Sequence, residues 1–475
     1  MPKDLRSFLK KLEAEAPELL VRVPGEVDPR FEITALLQNL EREGQYPVVI
    51  FEQAKNLKGQ PSGIQVVSNL FADRRAIALA LDLPKEKWRL ETSLEYQRRQ
   101  SNLIKPQVIS RDEAPVKEVV KMGDEVDLHD LPVLTCHAMD AGAFLNDAVI
   151  APDPDTGVYN ASHHRQQIKG QNITGLAASP RHLWSYMRRA EDRGEGLPMA
   201  HVLGHHPGFY LGAEALVPME TDEYEVMGGI LDEPLRLVPS EAFGDRLLVP
   251  ADAEIVIEQE VIPGTREAEG PYGEWTGYFS PQTLNWMIKI RAITHRRDPY
   301  YMGIFVGHPD SAHLGSIPKE GGLFQQIKNA VPTVQAVYLP WSGTCRLLCY
   351  VSIAQQAEGE ARVAALATLP LFDEIKYVVV VDDDIDVFDE RQVLWAVATR
   401  TQPAESVDII RQVRGGTSDP SQMHPTQGSK MIIDATRPLD RPFPVRLSIP
   451  QEALQKMKPE AWLAAKDLTR LGINR

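Results

Sequence analysis

A dense group of polar side chains lies between two apolar segments of the chain. Asn160, His163, His164 and Arg165 fall within six consecutive positions. Burying such groups without hydrogen-bond partners costs about 1–3 kcal/mol each, so a buried cluster would need a function to justify it. A solvated loop could carry the same residues at no cost. The segment alone therefore leaves two interpretations open, a binding or catalytic site and an exposed loop.

Two glutamates separated by a short turn sequence form a second candidate. Glu269 and Glu274 flank the sequence Gly-Pro-Tyr-Gly, which predicts a tight turn. If the turn directs both carboxylates into one cavity, one acid can stay charged while the other donates a proton. Glycosidases need acids that flank the substrate, so two acids on one turn disfavour that chemistry. An exposed surface turn is the structural alternative.

The chain also holds scattered ligands for a hard metal ion. Asn160, His182 and Glu223 supply the oxygen and nitrogen donors that suit Mn²⁺ or Mg²⁺. Their spacing matches no local metal motif, and a lone histidine is more often structural. An acidic run at 382–386 follows an apolar segment, where aspartates either bind metal or cap the next helix. Capping is the favoured interpretation of that run.

The composition is that of an ordinary globular, acidic protein. The 475 residues are 43% hydrophobic and 25% charged, which excludes disorder along the whole chain. The net charge of -15 disfavours nucleic acid as a partner. The sequence has no apolar stretch long enough to predict a membrane span, and its 3 cysteines are too few for a disulfide framework. We therefore expect a cytoplasmic protein without membrane insertion.

Motifs of several common enzyme classes are absent from the sequence. It contains no G-x-x-x-x-G-K-[ST] loop, no H-E-x-x-H pair and no G-x-S-x-G elbow. Nucleotide hydrolysis on a P-loop, zinc proteolysis and serine hydrolysis are therefore disfavoured.

The order of predicted elements divides the chain into three parts. Residues 1–112 alternate helices with strands and predict an α/β domain. Residues 113–318 contain β-like segments separated by Gly/Pro-rich turns, which is typical of a barrel or sandwich. Residues 319–475 return to α/β alternation, and the segment IKYVVVVDDDID predicts a strand buried on both faces.

Eight short segments stand out in a fixed order along the chain. They are DLHDLPV (127–133), NASHHRQQIKG (160–170), NITGLAASPRHLW (172–184), DEYEVMGG (222–229), VPADAEIVIE (249–258), EGPYGE (269–274), VDDDIDVFD (381–389) and GSKMIIDAT (428–436). Most are weak signals alone, but eight in register are specific. On these residues the chain resembles the UbiD-like decarboxylases, and the similarity covers nearly its whole length.

The resemblance implies an α/β protein with a central split β-barrel of the flavin reductase-like type. The barrel would occupy residues 113–318 and bind the cofactor. N-terminal (1–112) and C-terminal (319–475) α/β parts would flank it, with a dimerising segment at the C-terminal end.

The resemblance also implies a set of cofactors and the residues that hold them. The cofactor would be prenylated FMN, accompanied by Mn²⁺ (or Mg²⁺) and by K⁺. On this match Asn160, His182 and Glu223 would ligate the divalent ion that grips the flavin phosphate. The backbone oxygens of 212–215 would serve K⁺. The implied cofactor-binding set is Asn160, His163, His164, Arg165, Arg181, His182, Glu223 and Lys376.

The implied reaction is a reversible, non-oxidative decarboxylation of an aromatic, heteroaromatic or α,β-unsaturated carboxylic acid. Loss of CO2 from an sp2 carbon leaves a carbanion that no side chain can delocalise, so a cofactor must act as electron sink. Arg165 would hold the substrate carboxylate, Glu269 would orient Arg165, and Glu274 would deliver the proton.

Some residues depart from the family pattern. His163 and His164 stand just before the arginine, and His308 and His313 lie farther along the chain. If these imidazoles contact substrate, they favour a polar or heteroaromatic acid. The alternative is that they are structural or face the solvent.

The expected partners follow from the same resemblance. They are a small carboxylic acid, a second copy of the chain in a dimer or hexamer, and a flavin prenyltransferase that supplies the cofactor. Two alternatives stay open: a carboxylase subunit of a larger complex, and a non-catalytic assembly protein on the same fold.

Overall fold

The first part of the chain combines four helices with a small sheet. The computed structural model describes residues 2–422, 424 and 426–471. The first helix follows its amphipathic pattern, because Leu5, Phe8 and Leu12 are buried and Asp4 caps its N-terminus. Its elements are α1 (Leu5–Glu15), β1 (Leu20–Val27), α2 (Glu32–Arg42), β2 (Val48–Ala54), β3 (Gln65–Ser68), α3 (Arg74–Ala80), α4 (Leu90–Gln100) and β4 (Gln107–Val108).

The middle part is rich in strands, as the sequence predicts. Its elements are β5 (Val119–Met122), β6 (Phe144–Leu145), β7 (Ala148–Pro152), β8 (Tyr159–His163), β9 (Gln166–Gly170), β10 (Ile173–Leu176), α5 (His182–Asp192), β11 (Pro198–Leu203), α6 (Pro207–Gly212), α7 (Glu223–Leu231), β12 (Arg236–Ser240), β13 (Gly244–Pro250), β14 (Ile255–Glu269), β15 (Tyr272–Gly273), β16 (Phe279–Ser280), β17 (Thr283–His295) and β18 (Tyr300–Gly303).

The last part returns to helices and strands in alternation. Its first helix, α8, carries Pro318 in its interior. The elements are α8 (Pro309–Ala330), β19 (Val334–Tyr338), β20 (Leu348–Ile353), α9 (Glu360–Thr368), β21 (Tyr377–Asp382), α10 (Glu390–Arg400), α11 (Pro403–Ser406), β22 (Val407–Arg414), β23 (Gln427–Ala435), α12 (Gln451–Lys456), α13 (Pro459–Trp462) and α14 (Ala465–Arg470).

The central sheet is antiparallel and curls into a half-barrel. Its strands follow the order β6-β9-β10-β17-β14-β11-β7-β8, and β5 adds to β17. Only two residues join β8, at one edge, to β9, next to the other edge. Three peptide steps span at most about 11 Å, whereas six strand spacings in a flat sheet would require about 29 Å. The sheet must therefore curl until the ends of these two strands meet.

The two flanking sheets bear out the α/β character predicted for both ends of the chain. The first has the order β1-β2-β3-β18, so a strand from the middle part completes it. The second has the order β19-β20-β21-β23-β22. Its central strand β21 pairs in parallel on both sides and packs Val378 into one core and Val379 into another. The strand predicted to be buried on both faces is confirmed.

The half-barrel and the flanking α/β parts agree with the fold predicted from the resemblance. The likeness to flavin reductases and the domain boundaries at 113 and 319 stay predictions. Two aspartates of the acidic run at the end of β21 share one counter-charge, because Arg400 pairs with Asp382 at 2.5 Å and Asp384 at 2.7 Å. Within the described ranges, no helix is long and apolar enough to cross a membrane.

A buried ion pair ties α3 to α8. Arg74 and Glu320 are 4% and 0% exposed, and the guanidinium donates to both carboxylate oxygens at 2.9 and 2.7 Å. Ser93 Oγ and the backbone N–H of Leu339 also donate to Glu320, at 2.7 and 3.1 Å. This carboxylate therefore connects three parts of the chain that are distant in sequence.

We predict that Arg74→Met lowers the free energy of unfolding by about 3–5 kcal/mol, because it leaves the buried Glu320 carboxylate without its counter-charge. Urea unfolding followed by tryptophan fluorescence measures the loss. Arg291→Met, which breaks an ion pair whose arginine is half exposed, is the control and should cost less than about 1 kcal/mol. Equal losses in the two variants would contradict the prediction.

Candidate active site

Arg165 lies in the connection between β8 and β9 and contacts both glutamates of the candidate pair. Its Nε donates to Glu269 Oε1 at 2.8 Å and its Nη2 to Glu269 Oε2 at 3.0 Å, which makes a bidentate pair. Its Nη1 donates to Glu274 Oε1. The structure thus brings together the three residues that the resemblance assigns to catalysis, although 104 and 109 positions separate the partners in sequence.

The two glutamates differ in how far a ligand can reach them. The Glu269 side chain is fully buried, and Asn285 Nδ2 donates to it at 3.0 Å in addition to Arg165. The Glu274 side chain is 22% exposed, and its second carboxylate oxygen makes no hydrogen bond within the described residues. Glu269 therefore holds the guanidinium in place, whereas Glu274 is the acid that is open to a ligand.

The turn between the two glutamates depends on its glycines. Gly270 follows the last residue of β14 at a φ of +88°, a region that residues with a Cβ rarely adopt. A Cβ on Gly273 would lie 2.3 Å from His137 Nδ1, so only glycine leaves room for that imidazole. The turn therefore places Glu274 close to His137, a residue that the sequence analysis did not single out.

The ring of Tyr272 packs against the guanidinium of Arg165. The Arg165 guanidinium carbon lies 4.7 Å from the centre of the Tyr272 ring, within the range of a cation–π contact. The Tyr272 hydroxyl donates to Asn146 Oδ1 at 2.7 Å, which fixes the ring. Burial raises the pKa of this phenol well above its usual value, so the hydroxyl stays protonated.

Aromatic rings form a wall beside Glu274. The ring centroid of His137 lies 6.0 Å from that of Phe279 and 5.6 Å from that of Phe305. His308, which caps α8, stacks on Phe305 at 4.7 Å with an angle of 14° between the planes. A flat ring could pack against such a surface.

Asn160, His182 and Glu223 converge as a second group. Asn160 Nδ2 donates to Glu223 Oε1 at 2.9 Å, and His182 Nδ1 lies 3.4 Å from the same oxygen. They come from β8 and from the first residues of α5 and α7. Burial raises the pKa of Glu223, which means that its anionic form lacks full compensation. Two oxygens and one nitrogen with a buried carboxylate fit a divalent cation such as Mn²⁺ or Mg²⁺.

The residue types most often found as metal ligands are His, Cys, Asp and Glu, and this group contains two of them, His182 and Glu223. Elsewhere in the described ranges, no three His, Cys, Asp or Glu side chains are grouped to hold a metal. The Asn/His/Glu group is therefore the candidate metal site of the described residues.

A row of polar side chains runs from this group toward Arg165. Asn160 and Ser162 alternate along β8 and His164 follows its last residue, so the three side chains continue along one face. Ser162 Oγ lies 3.1 Å from Asn160 Oδ1 and 2.9 Å from His164 Nε2. Burial lowers the pKa of His164 to about 4, so the ring is neutral near pH 7. His163 points to the opposite face, where its Nε2 lies 3.2 Å from the Tyr210 carbonyl oxygen.

Asp147 and His201 add unpaired polar atoms near this row. Asp147 lies across from His164, whose backbone N–H donates to the Asp147 carbonyl at 3.4 Å. Within the described part of the chain, neither Asp147 carboxylate oxygen nor His201 Nδ1 has a hydrogen-bond partner. Burial raises the pKa of Asp147 well above its usual range and lowers that of His201 to about 3. Burial therefore disfavours the charged form of both groups.

The remaining predicted residues fall outside this convergence. Lys376 Nζ pairs with Asp419 at 2.9 Å, so its charge is already engaged. His313 is buried, and its Nδ1 lies 3.0 Å from the Ala72 carbonyl oxygen, which fits the structural alternative. Arg181 is exposed and precedes His182 at the start of α5.

Sequence reasoning missed His137, Tyr272, Asp147 and His201 as members of this region. The signal for Asp147 was present, because a single aspartate interrupts the apolar segment AFLNDAVIA. A charged residue inside a predicted buried strand needs a partner or a raised pKa, and either marks a candidate site.

We predict that Asp147→Asn removes a pH-dependent loss of stability. The folded pKa of Asp147 is raised, so its contribution is complete below the unfolded value of about 3.9 and disappears as pH rises through the folded pKa. The melting temperature of cofactor-free wild type should therefore fall relative to the variant as the pH rises above about 4. Asp245→Asn, on exposed β13, is the control. Parallel curves for wild type and Asp147→Asn would contradict this.

The whole chain is similar to known decarboxylases. It is 33% identical over 442 residues to anhydromevalonate phosphate decarboxylase of Methanothermobacter thermautotrophicus, covering 92% of this chain and 97% of that protein. It is 33% identical over 452 residues to phenolic acid decarboxylase of Sedimentibacter hydroxybenzoicus, covering 92% of each.

A solved structure with a similar fold is the UbiD-class enzyme HmfF from Pelotomaculum thermopropionicum in complex with FMN. It matches with a TM-score of 0.89 and 39% identity over 97% of this chain and 100% of that one. An evolved dimeric form of the same enzyme, in complex with prenylated FMN, matches with a TM-score of 0.86 and 38% identity over the same shares.

Three family models cover most of the chain. The N-terminal domain of 3-octaprenyl-4-hydroxybenzoate carboxy-lyase matches residues 12–89, its Rift-related domain residues 107–309, and its C-terminal domain residues 312–435. Together with the relatives, these matches account for all three parts of the fold. The chain belongs to the UbiD family of carboxy-lyases.

Proposed function

We propose that this protein removes CO2 from an aromatic, heteroaromatic or α,β-unsaturated carboxylic acid with the help of prenylated FMN. The observation that carries the proposal is the bridging position of Arg165 between Glu269 and Glu274. A relative bearing this fold was solved with FMN, and a form of it with prenylated FMN. Several relatives are named as decarboxylases of phenolic acids.

The Asn/His/Glu group supports a cofactor with a phosphate. Asn160, His182 and Glu223 would hold a divalent ion, Mn²⁺ or Mg²⁺, whose charge binds the phosphate of the flavin. The row from Asn160 through Ser162 to His164 spans about 13 Å of extended chain toward Arg165. This extended polar strip suits a long ligand with its phosphate at one end. K⁺ served by backbone oxygens of 212–215 and a role for His163, Arg181 and Lys376 remain part of the proposal.

The chain's own residues divide the work of the reaction. Prenylated FMN, when bound, supplies the electron sink for the carbanion that loss of CO2 would leave on the substrate. Arg165 binds the substrate carboxylate by charge-assisted hydrogen bonds and is oriented by the fully buried Glu269. Glu274 holds the proton that replaces CO2 on the substrate carbon, because its carboxyl group is the more exposed of the two.

The aromatic wall supports a flat substrate. His137 and Phe305 stand side by side next to the loop of Glu274, and a ring could lie against them. This arrangement favours aromatic or heteroaromatic acids over short aliphatic ones.

The same residues bear on the alternatives. A carboxylase running in the reverse direction would use an identical site, since CO2 supply decides the direction. A non-catalytic assembly protein has no need of a bidentate arginine held by a buried glutamate, so the geometry favours an enzyme. We further propose a homodimer, or a hexamer built from three such dimers, that receives its cofactor from a flavin prenyltransferase in the cytoplasm.

We predict that Glu274→Gln abolishes turnover while the protein still binds its cofactor. General acid catalysis contributes about 10²–10⁴-fold, so CO2 release should fall by at least about a hundredfold. The protein is co-expressed with a flavin prenyltransferase and assayed on a panel of aromatic and acrylic acids, with absorption spectra recorded in parallel. Glu267→Gln, which changes an exposed glutamate of β14, is the control. Full activity in Glu274→Gln would remove this residue from the mechanism.

We predict that Glu223→Gln lowers the metal and flavin content of the purified protein together. Even outer-shell partners of a metal site are worth about 10–100-fold in affinity, so losing a carboxylate ligand should cost at least tenfold. Metal analysis and the flavin absorbance measure both quantities in one sample. Glu225→Gln, two residues farther along α7, is the matched control. Unchanged metal content in Glu223→Gln would mean that this carboxylate binds no ion.

A further inference from the structure

Glu274 follows the first strand of a small hairpin that is separate from the half-barrel. Its strands β15 and β16 have two residues each, and within the described ranges they pair only with each other. A two-stranded hairpin on its own is at best marginally stable in water. Contacts from outside the hairpin must therefore determine where Glu274 lies relative to Arg165.

The loop of residues 137–141 supplies one such contact through a buried aspartate. The Asp140 side chain is 1% exposed, and its two oxygens accept different backbone N–H groups, each at 2.8 Å. Oδ1 accepts from Gly273, which directly precedes Glu274, and Oδ2 accepts from His137 at the start of the loop. Hydrogen bonds to an ionised carboxylate are among the stronger ones in proteins. Asp140 therefore fixes both the shape of its own loop and the position of the hairpin against it.

Further hydrogen bonds fasten the base of the hairpin. The N–H of Ala141 donates to the Pro271 carbonyl at 2.9 Å. The buried Gln167 bridges the two segments, because its Nε2 donates to the Ala141 carbonyl at 2.6 Å and its Oε1 accepts from the N–H of Gly270 at 3.2 Å. Gln167 lies on β9, two positions after Arg165. The hairpin is thereby fixed relative to the strand that begins beside Arg165.

Arg165 has its own support, which lies outside the hairpin. The fully buried Glu269, the last residue of β14, binds its guanidinium by two hydrogen bonds. The Tyr272 ring, which packs on the guanidinium, is fixed separately by its hydroxyl bond to Asn146. Loss of the contacts made by the loop should therefore displace Glu274 while Arg165 stays in place.

We infer that Asp140, assisted by Gln167, is a positioning residue for proton delivery by Glu274. The inference rests on the proposed function and adds the residues that aim its acid. The step concerned is transfer of the Glu274 proton to the carbon that has lost CO2, after which the carboxylate regains a proton from the solvent. Neither positioning side chain needs to touch the substrate, since both act on the backbone of the hairpin and its loop.

Hydrogen exchange followed by mass spectrometry on the cofactor-free protein tests the contact itself. Asp140→Asn removes the charge and replaces one accepting oxygen by an amide that cannot accept a hydrogen bond. The peptide that contains Gly273 and Glu274 should therefore exchange at least about tenfold faster than in wild type. Asp124→Asn, which changes an exposed aspartate, is the control and should exchange like wild type. Equal exchange in Asp140→Asn and wild type would overturn the inference.

Steady-state kinetics of the prenylated enzyme test the consequence for the reaction. In Asp140→Asn, kcat for CO2 release should fall by about a hundredfold, because a displacement of about 1 Å can cost that much. KM and flavin content should keep their wild-type values, since Arg165 and the Asn/His/Glu group are unchanged. The solvent deuterium isotope effect on kcat should increase, because proton transfer becomes the slow step. An unchanged kcat, or a loss of flavin and of substrate affinity together with kcat, would overturn the positioning role.

Gln167→Met decides the question if Asp140→Asn is poorly folded. Methionine has a similar length but makes neither of the two hydrogen bonds, so exchange should be faster and kcat lower by about tenfold. Gln171→Met, at an exposed position beyond the end of β9, is the matched control. Wild-type exchange and kcat in Gln167→Met would contradict the inference. If wild type itself releases no CO2 from any acid, the proposed function fails, whereas the exchange comparison still decides whether Asp140 holds the hairpin.

Discussion

The site depends on a two-residue connection between strands that lie near opposite edges of one sheet. His164 and Arg165 link β8 to β9, and a chain this short forces the sheet to curl. The curl brings the end of β14 and its glycine turn within reach of the guanidinium. Glu269 can then hold Arg165 from a fully buried position, and Glu274 is left partly open. The short connection that makes the sheet curl therefore also carries Arg165, whose guanidinium is the centre of the candidate site.

Several buried polar groups in this region are not satisfied by the protein itself. Asp147 keeps both carboxyl oxygens unpaired in the described residues, and Glu223 keeps a raised pKa although two side chains lie near it. Such groups cost stability when they stand alone. Both groups adjoin the polar row of Asn160, Ser162 and His164, so this cost in stability falls at the candidate site. The surrounding apolar cores offset that cost elsewhere.

Local patterns were sufficient to predict much of the fold. The apolar run that became β21 needed only burial on two faces. The convergence of Arg165 with its glutamates could not be derived that way, because more than a hundred residues separate the partners, and only the family resemblance predicted it. His137 was missed because it lies beside Glu274 only where Gly273, which has no side chain, leaves room for the imidazole. His163 and His164 point to opposite faces of the chain, and the sequence did not indicate which of the two faces the polar row.

Helix α8 contacts all three parts of the fold, and its proline affects how they move together. Its first turn packs near the loop of Glu274, its middle carries Glu320 and Lys319, and its last turns place Leu323 and Ile327 in the C-terminal core. Pro318 has no N–H to donate to the carbonyl four residues earlier, so the helix bends most easily there. A displacement of the C-terminal sheet would therefore bend α8 at Pro318, whereas Arg165 lies outside this helix, in the connection between β8 and β9.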